Sequence, residues 1–170
     1  MNKNQGYTIT ELMITVVIIG VLATLAIPTF TSYIYKARVT EATNFLGKIK
    51  QRQESYRNEF GQYCAVDGKA WGSWNPAAIP GEDPVVWEST DLWRQLGASP
   101  NAPIRFRYAT IAGIAGVDSP PADTGLDDND HWFAARAEGD LNADLDTFYL
   151  EIYSQANHIY NSASGSGGWK

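Results

Sequence analysis

Between Leu12 and Tyr35 no side chain is charged, and the charge that borders this run on its N-terminal side is Glu11. An apolar stretch of that length suffices for a bilayer-spanning helix, which takes ~20 residues. It is too long for a single strand and too apolar for a loop. A carboxylate in hydrocarbon costs about 2.5–3.5 kcal/mol on insertion scales, so Glu11 calls for a partner. A secretory signal is the rival reading, with an apolar core of ~7–15 residues before a small-residue cleavage site. Here the uncharged run is longer, and Ile27-Pro28-Thr29-Phe30 makes a poor site of that kind. The segment therefore reads as a retained anchor.

Beyond Tyr35 the periodicity stays helical while the polarity changes. Ala42, Phe45, Leu46, Ile49, Gln53, Tyr56 and Phe60 fall on one stripe, with Lys48, Lys50, Arg52, Arg57 and Glu59 on the other faces. That spacing predicts an amphipathic helix ended by Gly61. One long helix results, apolar all round in its first half and one-sided in its second. Gly20 and Pro28 are its weak points. Gly lowers helix stability by ~1 kcal/mol, and the Pro28 ring removes a backbone donor and crowds the carbonyl of Thr24.

The rest of the chain has a different grammar. Residues 62–86 are punctuated by Gly, Pro and Asp and read as a loop anchored by tryptophans. Ser89-Thr90-Asp91 precede a short helix over Leu92–Leu96, which Gly97 ends. Ile104–Gly116 opens with alternating Ile104, Phe106 and Tyr108 against Arg105 and Arg107, a strand with one buried face. His131–Gly139 and Thr147–Ser154 read as further strands, and Asn157–Asn161 as a fourth. The tail from Ser162 is flexible by composition. Closely spaced strands with short connections favour an antiparallel sheet, and the helix stripe is its natural partner. The fold class is α+β.

Charge and cysteine usage narrow the functions. The net charge is -6 with no long Lys/Arg run, so a nucleic-acid site lacks electrostatic support. One cysteine, Cys64, excludes an intrachain disulfide. Core burial must then stabilise the soluble part, and six Trp, nine Tyr and six Phe provide the area. Cys64, His131 and His158 are too scattered for zinc, and no nucleophile or carboxylate stands at a catalytic spacing from either histidine. The chain reads as a non-enzyme.

GYTITELMITVVIIGVLATLAIPTF, Gly6 to Phe30, resembles the N-terminus of a type IV pilin of the short-leader, type IVa-like class. The carriers are Gly6, aromatic Tyr7, Glu11 four residues on, and Pro28 late in the apolar run. Thr10 and Tyr7 stand where relatives more often have an aliphatic residue and Phe. The resemblance implies a leader at residues 1–6 cut between Gly6 and Tyr7 by a prepilin peptidase, and methylation of the new Tyr7 amine. It implies a membrane and polymerisation helix at 7–35, an amphipathic half at 36–61 and a globular sheet domain at 62–170. It also implies a single-pass subunit in the inner membrane, surrounded by lipid, that inner-membrane machinery builds into a surface filament of itself and other pilins. Adhesion, twitching motility or DNA uptake would be the purpose. Melting between Gly20 and Pro28 on assembly follows the same pattern. Lys36 and Arg38 follow the helix while only Lys3 precedes it, so orientation rests on the resemblance and not on loop charge. Glu11 is then expected to pair with the Tyr7 amine of a neighbouring subunit. The milder alternative is that it complements its own helix N-terminus, worth about 0.3–1 kcal/mol.

Two further alternatives stay open. A pseudopilin of a type II secretion system has the same N-terminal chemistry, and a membrane-anchored enzyme or binding domain with an uncleaved helix would need neither Gly6 nor Glu11. No cofactor is called for, with one exception. GDLNADLD sets Asp140, Asn142, Asp144 and Asp146 at alternate positions, a spacing of oxygens that suits calcium, although the sixth position is Leu145 rather than Gly. A polar turn rich in Asp and Asn is the competing account.

Overall fold

A computed structural model describes residues 6–162, so Met1–Gln5 of the expected leader and the tail beyond Ser162 lie outside the described residues. Helix α1 runs Ile9–Phe60, 52 residues. Helix α2 is Asp91–Leu96, and four strands follow: β1 Arg107–Gly113, β2 Trp132–Gly139, β3 Phe148–Tyr153 and β4 Tyr160–Asn161. A 3-10 turn, Ala122–Thr124, lies between β1 and β2. The chain divides into two units, Met1–Lys36 and Ala37–Lys170.

In the first unit α1 presents its apolar side chains outward: Leu12, Val16, Ile19, Leu25 and Phe30 are all more than half exposed. Its apolar window has a mean hydropathy of 2.4, and among the described residues this is the one helix long and apolar enough to cross a membrane. The helix stays unbroken through Gly20 and Pro28. The threonines here direct their hydroxyls to their own helix. Thr15 donates to Leu12 O at 2.8 Å, Thr24 to Val21 O at 2.7 Å and Thr29 to Leu25 O at 3.0 Å. In hydrocarbon a hydroxyl needs such a partner, because no water is present to supply one.

The second unit is an antiparallel sheet in the order β1-β2-β3-β4 with the amphipathic part of α1 on one face. Ala42, Phe45, Leu46, Ile49 and Gln53 are buried there, while Tyr56 is half-buried and Phe60 exposed. Phe45 packs edge-on against Tyr108, with centroids 4.7 Å apart, and against Trp87 at 5.6 Å. Gln53 is fully buried and its amide is fully used. It donates to Cys64 O (2.8 Å) and Thr110 Oγ1 (3.1 Å) and accepts from Cys64 N (2.8 Å), tying the turn after α1 to β1. Cys64 is a buried free thiol. Helix α2 has the expected ends: Thr90 Oγ1 accepts from Trp93 N, and Gly97 sits at φ 71.

One expectation is corrected. Ile104–Gly116 was to be a strand with one buried face; the strand is Arg107–Gly113, and both its faces are buried. The cause is residues 62–86, which lie over the second face. Trp71 packs with Ile111, Trp132 and Ala134, and Arg107 stacks on Trp74 at 4.3 Å. Under that cover the polar positions pair in register. Arg107 faces Glu138 and Arg136 faces Glu151 across neighbouring strands, and both pairs are ion-paired. Gly113 is required by the close approach of Trp132, whose ring would lie 2.4 Å from any Cβ placed there. The other strands are shorter than expected: His131, Thr147, Ser154 and Asn157–Ile159 fall outside them.

The same segment closes the outer edge of β1. Asn75 and Tyr108 exchange both backbone bonds (2.9 and 2.8 Å), Asp67 N donates to Thr110 O (3.0 Å) and Ala112 N to Gly68 O (3.1 Å). An edge so covered offers no ladder to another sheet. The Asp67 carboxylate belongs to this seam and accepts from Thr110 N at 2.8 Å. Burial pushes its pKa up to about 6 from 3.8, with the Thr110 N–H opposing the rise. A carboxyl raised in the folded state contributes stability that is full below the unfolded value and lost as pH climbs through the folded one. Between pH 4 and 7 Asp67 should therefore cost the fold on the order of 2 kcal/mol. Asp67→Asn keeps the acceptor and removes the titration. Its urea midpoint is expected to exceed that of the parent at pH 7.5 and to converge with it near pH 4; parallel midpoints across that range would refute the assignment.

Candidate functional site

The start of α1 is built by a reciprocal cap. Thr8 precedes the helix, and its N–H and hydroxyl both donate to Glu11 Oε2 at 2.8 Å. Glu11 N in turn donates to Thr8 Oγ1 at 3.2 Å. This is a capping box, with Thr at the cap and Glu three residues on. The T-x-x-E spacing was legible in TITE, yet Thr8 was absent from the residues picked out by sequence. The milder account of Glu11, service to its own helix N-terminus, is thus realised in the uncut chain. Both side-chain bonds fall on Oε2. Among the described residues Oε1 has no hydrogen-bond partner, so the carboxylate keeps acceptor capacity in reserve.

Gly6 and Tyr7 lie just ahead of the helix in irregular backbone, both exposed, Tyr7 by 83%. Gly20 is exposed, and a Cβ there would meet nothing within 4 Å, so no packing reason for glycine exists within the subunit.

The acidic loop after β2 is a compact turn. Asp140 is buried, with Oδ2 accepting from Leu145 N at 3.0 Å. Asn142 Nδ2 donates to Asp144 Oδ2 at 2.7 Å, and Asp146 N to Asp144 Oδ1 at 2.8 Å. Ala143 and Leu145 take positive φ, 57 and 71. Among the described residues no three His, Cys, Asp or Glu side chains are gathered to hold a metal ion. His131 Nδ1 accepts from Ala115 N at 3.3 Å, and His158 is exposed.

A family description, the prokaryotic N-terminal methylation motif, matches residues 1–27. The chain is 41% identical over 69 residues to a fimbrial protein of Moraxella nonliquefaciens, a match covering 41% of this chain and 44% of that one. It is 39% identical over 61 residues to the type IV major pilin protein PilA of Myxococcus xanthus, covering 36% and 28%. It is 37% identical over 117 residues to the type IV major fimbrial protein FimA of Dichelobacter nodosus, covering 66% of this chain and 67% of FimA. The first of these matches thus spans less than half the length of its relative. No solved structure matches the chain. The FimA match runs well past α1 into the sheet unit, and together with the methylation motif at the N-terminus it shows that this chain belongs to the type IV pilin family.

Proposed function

We propose that the chain is a structural subunit of a type IV pilus, cut between Gly6 and Tyr7, methylated at Tyr7 and assembled through the apolar half of α1. The observation that carries this is the outward-facing apolar helix with a single carboxylate at its start. Such a surface is stable in lipid before assembly and against other copies of itself afterwards. The cut converts the Tyr7 amide into an amine one helical turn from Glu11. Glu11 Oε2 stays engaged by Thr8, which the cut leaves in place, and Oε1 is available for the amine of a neighbouring subunit. Self-capping and docking then use different oxygens of one carboxylate. Two opposite charges unpaired in hydrocarbon are costly, so each incoming subunit relieves a penalty the filament tip already bears. Similarity to fimbrial proteins favours a surface pilus over a secretion pseudopilus.

Intact-mass spectrometry of the membrane-extracted chain tests the processing. The expected mass lacks Met1–Gly6 and gains one methyl group. An intact N-terminus would point instead to a permanently anchored domain.

A further inference from the structure

Asp67 and Asn75 sit in the segment that seals the outer edge of β1, bonded through their backbones to Thr110 and Tyr108. Those two anchors are two residues apart on one strand, about 7 Å. Each side chain keeps an acceptor to spare. Asp67 Oδ2 accepts from Thr110 N, while Oδ1 has no hydrogen-bond partner among the described residues. Asn75 is 7% exposed, and its Nδ2 donates to Glu88 O at 2.7 Å. That bond fixes the orientation of the amide and leaves Asn75 Oδ1 without a donor. Neither oxygen is sealed off from solvent. Both residues line one cleft of about 590 Å³, walled by Trp74, Val85, Val86 and Leu92. The two valines and the leucine remain partly exposed there. No Lys, Arg or His lines the cleft.

The chemistry these oxygens lack is a positively charged donor. A carboxylate removed from water favours a cation beside it. The cations around this one are committed elsewhere: Lys69 to Asp118, Arg94 to Asp91, and Arg107, stacked on Trp74, to Glu138. Burial accordingly lifts the Asp67 carboxyl to about 6, opposed only by the Thr110 N–H. The other titratable neighbours are Glu88, which also lines the cleft, and the Cys64 thiol, held neutral by burial and by Asp67 itself. We propose that this cleft binds a primary alkylammonium ion, with Asp67 Oδ1 and Asn75 Oδ1 accepting from its N–H groups and its hydrocarbon body lying on Val85, Val86 and Leu92. A calcium ion fits poorly, because it takes 6–8 oxygen ligands and apolar walls supply none. A quaternary ammonium brings the charge but has no N–H for either oxygen. The inference does not depend on the filament reading, since every residue involved lies in the sheet unit.

The test is calorimetric titration of the full processed chain in detergent micelles with n-butylammonium chloride. One ion per chain is expected at pH 7.5, with a Kd on the order of 1 mM. The thermal midpoint should rise by several degrees in about 20 mM of the salt. 1-Butanol, which has the same body without the charge, should give neither response. Tetramethylammonium should bind at least about tenfold more weakly. Asp67→Asn retains the fold and should also weaken binding at least about tenfold. In the parent the affinity should fall about thirtyfold between pH 7.5 and 4.5, as Asp67 takes up its proton. Absence of heat and of a midpoint shift in the parent would overturn the proposal. So would unaltered binding in Asp67→Asn, or an equal response to tetramethylammonium. A midpoint that rises with protein concentration alone, and no further with the amine, would place a lysine of a second copy in the cleft and overturn the small-ligand assignment.

Discussion

Glu11→Ala is expected to abolish surface filaments while the subunit still accumulates, processed, in the membrane. The carboxylate is the charged side chain at the entrance to an apolar run that extends to Tyr35, and removing it makes the helix easier to keep in lipid, not harder. What disappears is the preference for a neighbour. If an unpaired carboxylate costs about 2.5–3.5 kcal/mol in hydrocarbon, its loss weakens each docking event on the order of 100-fold. Compounded over successive additions, that leaves little polymer. Sheared-filament yield against membrane-bound subunit, read by immunoblot and electron microscopy, measures the split. The capping box provides the control. Thr8→Val removes the hydroxyl that donates to Glu11 Oε2 but leaves the carboxylate, at a cap-sized cost of about 1 kcal/mol. Filaments from that variant should persist at reduced yield. Abundant filaments from Glu11→Ala would remove the docking role and leave only the cap.

The second large effect concerns the sheet. Arg136 lies on β2 beneath Trp71 and Tyr149, 4.3 and 4.6 Å from their ring centroids. It pairs with Glu151, which is 2% exposed, and with Asp123 at 2.7 Å. Tyr153 also donates its hydroxyl to Glu151. Arg136→Ala strands that buried carboxylate and empties the slot between two rings. Breaking one side of a buried pair costs about 3–5 kcal/mol. For a domain of this size that lowers the thermal midpoint by roughly 9–15 °C. Asp123 is half-exposed and contributes little, so Asp123→Ala should cost under about 1 kcal/mol. Replacing both partners, Arg136→Met with Glu151→Leu, should recover most of the loss, because two apolar side chains of similar volume leave no stranded charge. A single Arg136→Ala variant within a few degrees of the parent would show that the network is not a stabilising element.

The N-terminal third was legible because its information is local. A bilayer-length apolar run, a Gly-aromatic junction, a spaced Glu and a 3.6-residue stripe are all read from neighbours along the chain, and helical hydrogen bonds close within four residues. Thr90 and Gly97 bounded α2 for the same reason. Thr8 was equally local, and TITE held the capping signal. The sheet was different. HWFAARAEG read simply as a strand, and in the fold Arg136 and Glu138 occupy its face away from α1. Whether that face meets water depends on Trp71 and Trp74, more than sixty residues earlier in a stretch without periodicity. The raised pKa of Asp67 has the same origin, since an aspartate in a Gly-rich loop reads as solvated until the loop folds down along β1. Helix and junction follow from bonds a few residues long. Burial on the outer face, and the pairing it enforces, exist only once distant segments have met.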